Sequence, residues 1–120
     1  MTEVTSQQSW TEELEAFLQR VNPDLRGEAP FIRLDVLEYF HARPGVVCKG
    51  EDISRELRIK MDRLRSHLDY LVGTQILRRE EENGFKFEPE PSDLPVVKRF
   101  FDFYRTPRGR LRVIERILGW

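Results

Sequence analysis

The chain is poor in most of the residues from which disulfide scaffolds, metal centres and membrane spans are built. It carries one cysteine in 120 residues, Cys48, so no intramolecular disulfide can form and the composition fits a reducing compartment. Its two histidines, His41 and His67, are with Cys48 the only soft ligands. They fall in no paired spacing such as CxxC or HExxH, and no metal site is expected. No apolar run approaches the roughly 18 to 20 residues of a membrane helix, and the opening MTEVTSQQSW has no basic region followed by an apolar one. The expectation is a soluble cytoplasmic protein. Charge of either sign is also lacking in excess. With 20 Lys and Arg against 21 Asp and Glu, there is no global attraction to nucleic acid or to an anionic membrane, and any such binding must come from a local patch. There is no nucleophile elbow, no phosphate-cradling glycine loop and no histidine-carboxylate constellation, so neither catalysis nor a cofactor is expected.

What is present is enough apolar mass for one compact core, with 39% hydrophobic residues and thirteen aromatics. Residues 1 to 8 are polar and are expected to be disordered. Ser9-Trp10-Thr11-Glu12 has the spacing of a capping box and predicts a helix from that point, with Trp10, Leu14, Phe17, Leu18 and Val21 on one stripe until Asn22-Pro23 ends it. PDLRGEAP, residues 23 to 30, reads as a connector. From Phe31 to Arg43 the helical period resumes in a segment apolar enough to be deeply buried, and Pro44-Gly45 stops it. GVVC, Gly45 to Cys48, fits a brief strand. A short helix with Ile53 and Leu57 as its core contacts follows, with Glu51 and Asp52 favourably placed at the positive end of its dipole. Met61, Leu64, Leu68, Leu71 and Val72 then define a second stripe, with Gly73 as the expected stop.

Ile76-Leu77-Arg78-Arg79-Glu80 and Phe85-Lys86-Phe87-Glu88 flank Glu81-Glu82-Asn83-Gly84, and Asn-Gly predicts a two-stranded hairpin because both residues tolerate positive φ. PEPSDLP, residues 89 to 95, reads as a stiff linker before a helical face of Val96, Val97, Phe100, Phe103 and Tyr104. Thr106-Pro107-Arg108-Gly109 reads as a break, after which Leu111, Val113, Ile114, Ile117 and Leu118 make a last short helix running to Trp120. The fold class expected is mainly α with a small β-hairpin.

Helix, short strand, helix, turn, helix and hairpin in this order resemble a winged helix-turn-helix. Asp52-Ile53-Ser54-Arg55-Glu56-Leu57 looks like the first helix of that motif and Met61 to Val72 like the second. Gly73-Thr74-Gln75-Ile76-Leu77-Arg78-Arg79 resembles the glycine, two residues, aliphatic pair and basic residues that lead into the wing. Over residues 31 to 88 the chain thus resembles a winged-helix transcriptional regulator of the MarR and ArsR type; the flanks 1 to 30 and 89 to 120 carry no such resemblance. The cysteine pair that metal-sensing ArsR repressors carry on their reading helix is absent.

The resemblance implies a sequence-specific regulator whose second helix enters the major groove of double-stranded DNA, presenting donors and acceptors to base edges while neighbouring cations hold phosphates. Steps of 100° along residues 60 to 72 put Asp62, Ser66, Asp69 and Tyr70 outward and Arg63, Arg65 and His67 on the flanks. On the resemblance, base edges fall to Arg63, Ser66 and His67, phosphates to Lys60, Arg65, Arg55 and Lys49, and the DNA backbone near Tyr70. Asp62 and Asp69 oppose phosphates, and so does the hairpin, where Glu80, Glu81, Glu82, Glu88 and Glu90 surround a lone Lys86. This wing is not expected to enter a minor groove. Arg105, Arg108, Arg110, Arg112 and Arg116 form a basic strip that could meet phosphates. The aromatic flanks exceed what a small winged-helix core needs, and such repressors commonly pair through terminal helices, so the resemblance implies a homodimer. The acidic wing and aromatic C-terminal helices leave open a second class of function, a winged-helix module that holds a protein partner.

Overall fold

A computed structural model describes residues 10–119. Among these residues it has six helices and a three-stranded antiparallel sheet, and its contacts divide the chain into two compact units, residues 1–30 with 92–120, and residues 31–91. No helix among the described residues is long and apolar enough to cross a membrane.

In the first unit, α1 spans Glu12–Val21 and buries Leu14, Phe17, Leu18 and Val21, the i, i+3, i+4, i+7 stripe of an amphipathic helix. Its N-cap is Thr11, whose hydroxyl accepts from the Leu14 amide at 3.2 Å. The Ser9 cap expected from the sequence lies outside the described residues, and so do residues 1 to 8 and Trp120. Trp10 does not belong to the helix; its ring packs against Phe100 and Phe103 at 6.3 and 5.8 Å between centroids. The helices α5, Leu94–Tyr104, and α6, Pro107–Leu118, complete this unit. Phe17 meets Phe100 at 4.9 Å between centroids. The Thr106-Pro107 step starts α6 rather than breaking the chain: the Thr106 hydroxyl accepts from the Gly109 amide at 2.9 Å, and Pro107, which has no amide proton to leave unsatisfied, takes the first helical position. Gly109 is forced by its surroundings. A Cβ there would lie 1.9 Å from the Phe103 carbonyl oxygen.

In the second unit, α2, Ala29–His41, is the central element. Leu34, Val36, Leu37 and Phe40 on it are completely buried, and a side chain so enclosed contributes roughly 1.5–3 kcal/mol relative to an exposed one. The strand β1, Cys48–Lys49, leads directly into α3, Gly50–Leu57, and a left-handed Arg58 at φ 59° ends that helix and turns the chain into α4, Met61–Gly73. Gly73 is the last residue of α4 and not its left-handed stop; that position is Gln75, at φ 68°.

The strands β2, Leu77–Glu81, and β3, Gly84–Phe87, form the hairpin, and β1 pairs with the other side of β3, giving the order β1-β3-β2. The register sets Cys48 against Phe85 and Leu77 against Phe87, with an irregularity between Arg79 and Glu81. Neither Asn83 nor Gly84 adopts positive φ. Gly84 has a steric reason instead, since a Cβ would lie 2.8 Å from Glu81 Cγ and 2.9 Å from Val47 Cγ1.

Candidate nucleic-acid interface

The buried side of α4 is Leu64, His67, Leu68 and Leu71, with Met61 and Val72 half-buried. At 100° per residue this stripe is rotated by about 40° toward His67 from the one expected. The rotation decides which side chains can reach a ligand. Asp62, Arg63, Arg65, Ser66 and Asp69 are exposed. His67 is not available as a reader of base edges: it is 9% exposed, and its Nδ1 accepts from Arg33 Nε on α2 at 3.1 Å. Tyr70, expected to face outward, is half-buried with the Arg33 guanidinium 4.1 Å above its ring. One arginine therefore fixes two side chains of α4. Burial holds the His67 imidazole below the usual histidine range, and the Arg33 and Arg63 cations add to the effect. A ring that accepts at Nδ1 must be unprotonated there, and geometry and electrostatics agree on a neutral His67.

The other expected positions divide. Lys49, on β1, and Lys60, the N-cap of α4, are exposed. Arg55 is exposed but joined to Asp52 one turn earlier at 2.5 Å. Ser66 Oγ donates to the Arg63 carbonyl at 3.0 Å, and the Asp62 carboxylate accepts from the Arg63 amide at 2.8 Å, so both polar groups on the outer face also bond locally. Met61, Asp62, Arg65, Ser66 and Asp69 share one shallow surface, which neither Lys49 nor Arg55 lines.

Between α4 and the hairpin lies a cleft of about 320 Å³ lined by Met61, Arg65, Leu68, Asp69, Arg79, Glu82, Asn83 and Phe85. Arg79 spans it. Its guanidinium reaches Asp69 at 2.5 Å, donates to the Glu82 carbonyl at 3.2 Å and sits 4.9 Å from the Phe85 ring centroid. This neutralises one of the two carboxylates on the outer face of α4. Arg78 bridges Glu80 and Glu88, at 3.2 and 3.3 Å, and offsets one of their two charges. At the tip of the hairpin, Glu81 and Glu82 have no cation paired with them among the described residues.

The basic strip of the C-terminus is not one surface. Arg116 is joined to Glu15 by two guanidinium nitrogens at 2.5 to 3.0 Å, and Trp10 Nε1 donates to the same carboxylate at 2.8 Å. The Arg116 guanidinium, with the Trp10 and Gln19 hydrogen bonds behind it, holds the Glu15 carboxyl below the usual range. Arg110 lies 4.3 Å over the Tyr104 ring. At 100° per residue, Arg108 and Arg112 alone share the outer side.

Arg33 and Arg79 were not singled out by sequence reasoning as parts of this site. Arg79 could have been, since the basic end of GTQILRR faces a carboxylate if the hairpin folds back on α4. Arg33, 34 residues from His67, has no sequence signal. Among the described residues no group of three His, Cys, Asp or Glu could hold a metal ion, and burial pushes the Cys48 thiol up, away from the reactive thiolate. Compared with protein-family models, curated proteins and solved structures, the chain matches none.

Proposed function

We propose that residues 31–91 are a winged helix-turn-helix that binds double-stranded DNA in a sequence-specific way and regulates transcription, with α4 in the major groove. The observation that carries this reading is the outer face of α4: Arg63, Arg65 and Ser66 are exposed on a helix whose opposite side is anchored by Leu64, His67, Leu68 and Leu71. A helix anchored on one side with polar side chains exposed on the other is what direct readout of base edges requires. The element order and the antiparallel sheet β1-β3-β2 support the same reading. Arg63 and Ser66 are the base readers, and Arg65 with Lys60 the phosphate contacts. His67 is a positioning residue within the core.

The wing has no part in this binding. Glu81 and Glu82 at its tip repel phosphate, and Arg79 is occupied by Asp69. Selection from a pool of random duplexes tests the reading: enrichment of a sequence by the wild type, relaxed by Arg63→Ala and uniformly weakened by Arg65→Ala, is the expected result. Unchanged affinity in both variants would remove α4 from the interface. The uncompensated glutamates at the tip favour one other reading, a module that offers this acidic tip to a basic protein, and Glu82→Lys separates the two by strengthening DNA binding while weakening such a partner.

A further inference from the structure

The last helix carries a second apolar stripe, which its own unit leaves largely in solvent. Toward the core α6 presents Gly109, Val113 and Ile117. Pro107, Leu111, Ile114 and Leu118 follow one another at i, i+4, i+7 and i+11, the spacing of a single helical stripe, about 130° around the axis from the core side. Pro107 is exposed and Ile114 half-buried, and Leu111 and Leu118, at 53% and 47%, are among the few large apolar side chains that stand out in solvent.

Cations border this stripe on both sides. Arg110 lies on one edge, over the Tyr104 ring. Arg108 and Arg112, both exposed, lie on the other, and neither is joined to a carboxylate among the described residues. Glu115 is the one acid between residues 105 and 119, and it is half-buried. The near-balanced charge of the whole chain leaves only a local patch to attract an anionic surface, and α6 carries such a patch.

Size and chemistry decide what covers it. With 12 residues, α6 is about 18 Å long and, with its side chains, about 10 Å across. Its footprint of about 180 Å² is a small part of the roughly 800 Å² per partner of a stable protein interface. A phosphodiester backbone would meet the arginines but offers the leucines nothing apolar. A bilayer with anionic headgroups supplies both, phosphates at the level of the arginines and hydrocarbon beneath them, and it needs no complementary shape.

We propose that α6 docks on anionic phospholipid surfaces with its axis in the plane of the interface, Leu111, Ile114 and Leu118 dipping into the acyl boundary and Arg108 and Arg112 on lipid phosphates. The contact is peripheral and reversible, since three aliphatic side chains bury less apolar surface than a single acyl anchor, which binds only marginally by itself. It belongs to the first unit and needs no nucleic acid, so it stands or falls independently of DNA binding by α4.

Co-sedimentation of the full chain with vesicles tests it, using equimolar phosphatidylglycerol and phosphatidylcholine against phosphatidylcholine alone. The wild type should bind the anionic vesicles with half-saturation at about 1 mM lipid and be released as salt rises, and it should leave the neutral ones in solution. Arg108→Gln and Arg112→Gln should each weaken binding by roughly fivefold, the contribution of one cation near an anionic surface, and Leu111→Ser by roughly tenfold. All three side chains are exposed, so the variants should fold as the wild type does, which far-UV circular dichroism checks. Arg65→Ala, on α4, should bind the vesicles as the wild type does. No binding to anionic vesicles, equal binding to neutral ones, or binding indifferent to Leu111→Ser would overturn the proposal. So would a double variant R108Q/R112Q that keeps its lipid affinity and loses duplex DNA, which would assign these cations to a nucleic-acid backbone.

Discussion

Mild acid should loosen the 31–91 unit through one side chain, His67. In the folded chain its Nδ1 accepts from Arg33 at 3.1 Å and the residue is 9% exposed. Protonation would remove the acceptor and set an imidazolium against the Arg33 guanidinium. The folded pKa therefore lies below the value of 6.5 taken for a free histidine. Above about pH 6.5 both folded and unfolded chains hold the ring neutral and nothing is lost. As pH falls below that value the unfolded chain takes up a proton that the folded chain does not, and stability declines until the folded pKa is reached. The slope for one such group cannot exceed about 1.4 kcal/mol per pH unit. A drop of one unit below 6.5 thus costs at most about 1 kcal/mol, an upper bound of roughly 3–6 °C in Tm for a chain of this size. Urea unfolding followed by far-UV circular dichroism at about pH 7.5, 6.5 and 5.5 reads the effect; residues 31–91 contain no tryptophan to report it by fluorescence. His67→Gln keeps an acceptor for Arg33 and does not titrate, so its midpoint should change less over the same range. Equal slopes in wild type and H67Q would refute the assignment of the acid sensitivity to this contact.

Two glycines should respond in opposite directions. Gly109→Ala should lower stability by about 2 kcal/mol or more, because the new methyl would collide with the Phe103 carbonyl, whereas Gly73→Ala, with open space around the position and a helical backbone, should raise it by about 0.4–1 kcal/mol; thermal unfolding distinguishes them. Replacing the Glu15 hub by Gln should cost about 1 kcal/mol at neutral pH, less than a fully buried network would, since Glu15 and Arg116 remain partly in solvent. That difference should fade as pH drops below the usual carboxylate value of 4.5 and through the lower folded pKa of Glu15, as acid titration of the wild type and E15Q would show. The double variant E81K/E82K should bind duplex DNA more tightly and with a steeper salt dependence than the wild type, as anisotropy titrations at two salt concentrations would reveal.

Most of the 31–91 unit was legible because its helices obey a single apolar period and Pro44-Gly45 punctuates them. The mixture of helices with a small antiparallel sheet follows from such local signals. What escaped depended on partners distant in the chain or on chemistry with two uses. Thr106-Pro107 reads as a break if proline is taken only as a helix breaker, yet the same pair is a good helix start when a hydroxyl precedes a proline at the first position. At the N-terminus the capping-box spacing points to Ser9, which lies outside the described residues, and the hydroxyl that bonds the Leu14 amide is that of Thr11. The hairpin between Glu81 and Gly84 was legible, but the reason for Gly84 lies in the close approach of Val47 and Glu81 and not in positive φ.

The candidate site was readable only where a side chain's fate is decided on its own helix. Arg63, Arg65 and Ser66 are exposed as a helical wheel implies. His67 and Tyr70 are not: both meet Arg33 of α2, and a wheel drawn for one helix holds nothing of an arginine on another. Asp69 likewise looked like an obstacle to phosphate until Arg79 was found beside it.

The central claim is that α4 binds double-stranded DNA, and the most direct test is fluorescence anisotropy of the full chain with a labelled random-duplex pool at about 50 and 200 mM salt. The account predicts binding that weakens steeply with salt and loses roughly one unit of its log–log slope in Arg65→Ala. No binding at micromolar protein, or binding indifferent to salt and to Arg65, would contradict it.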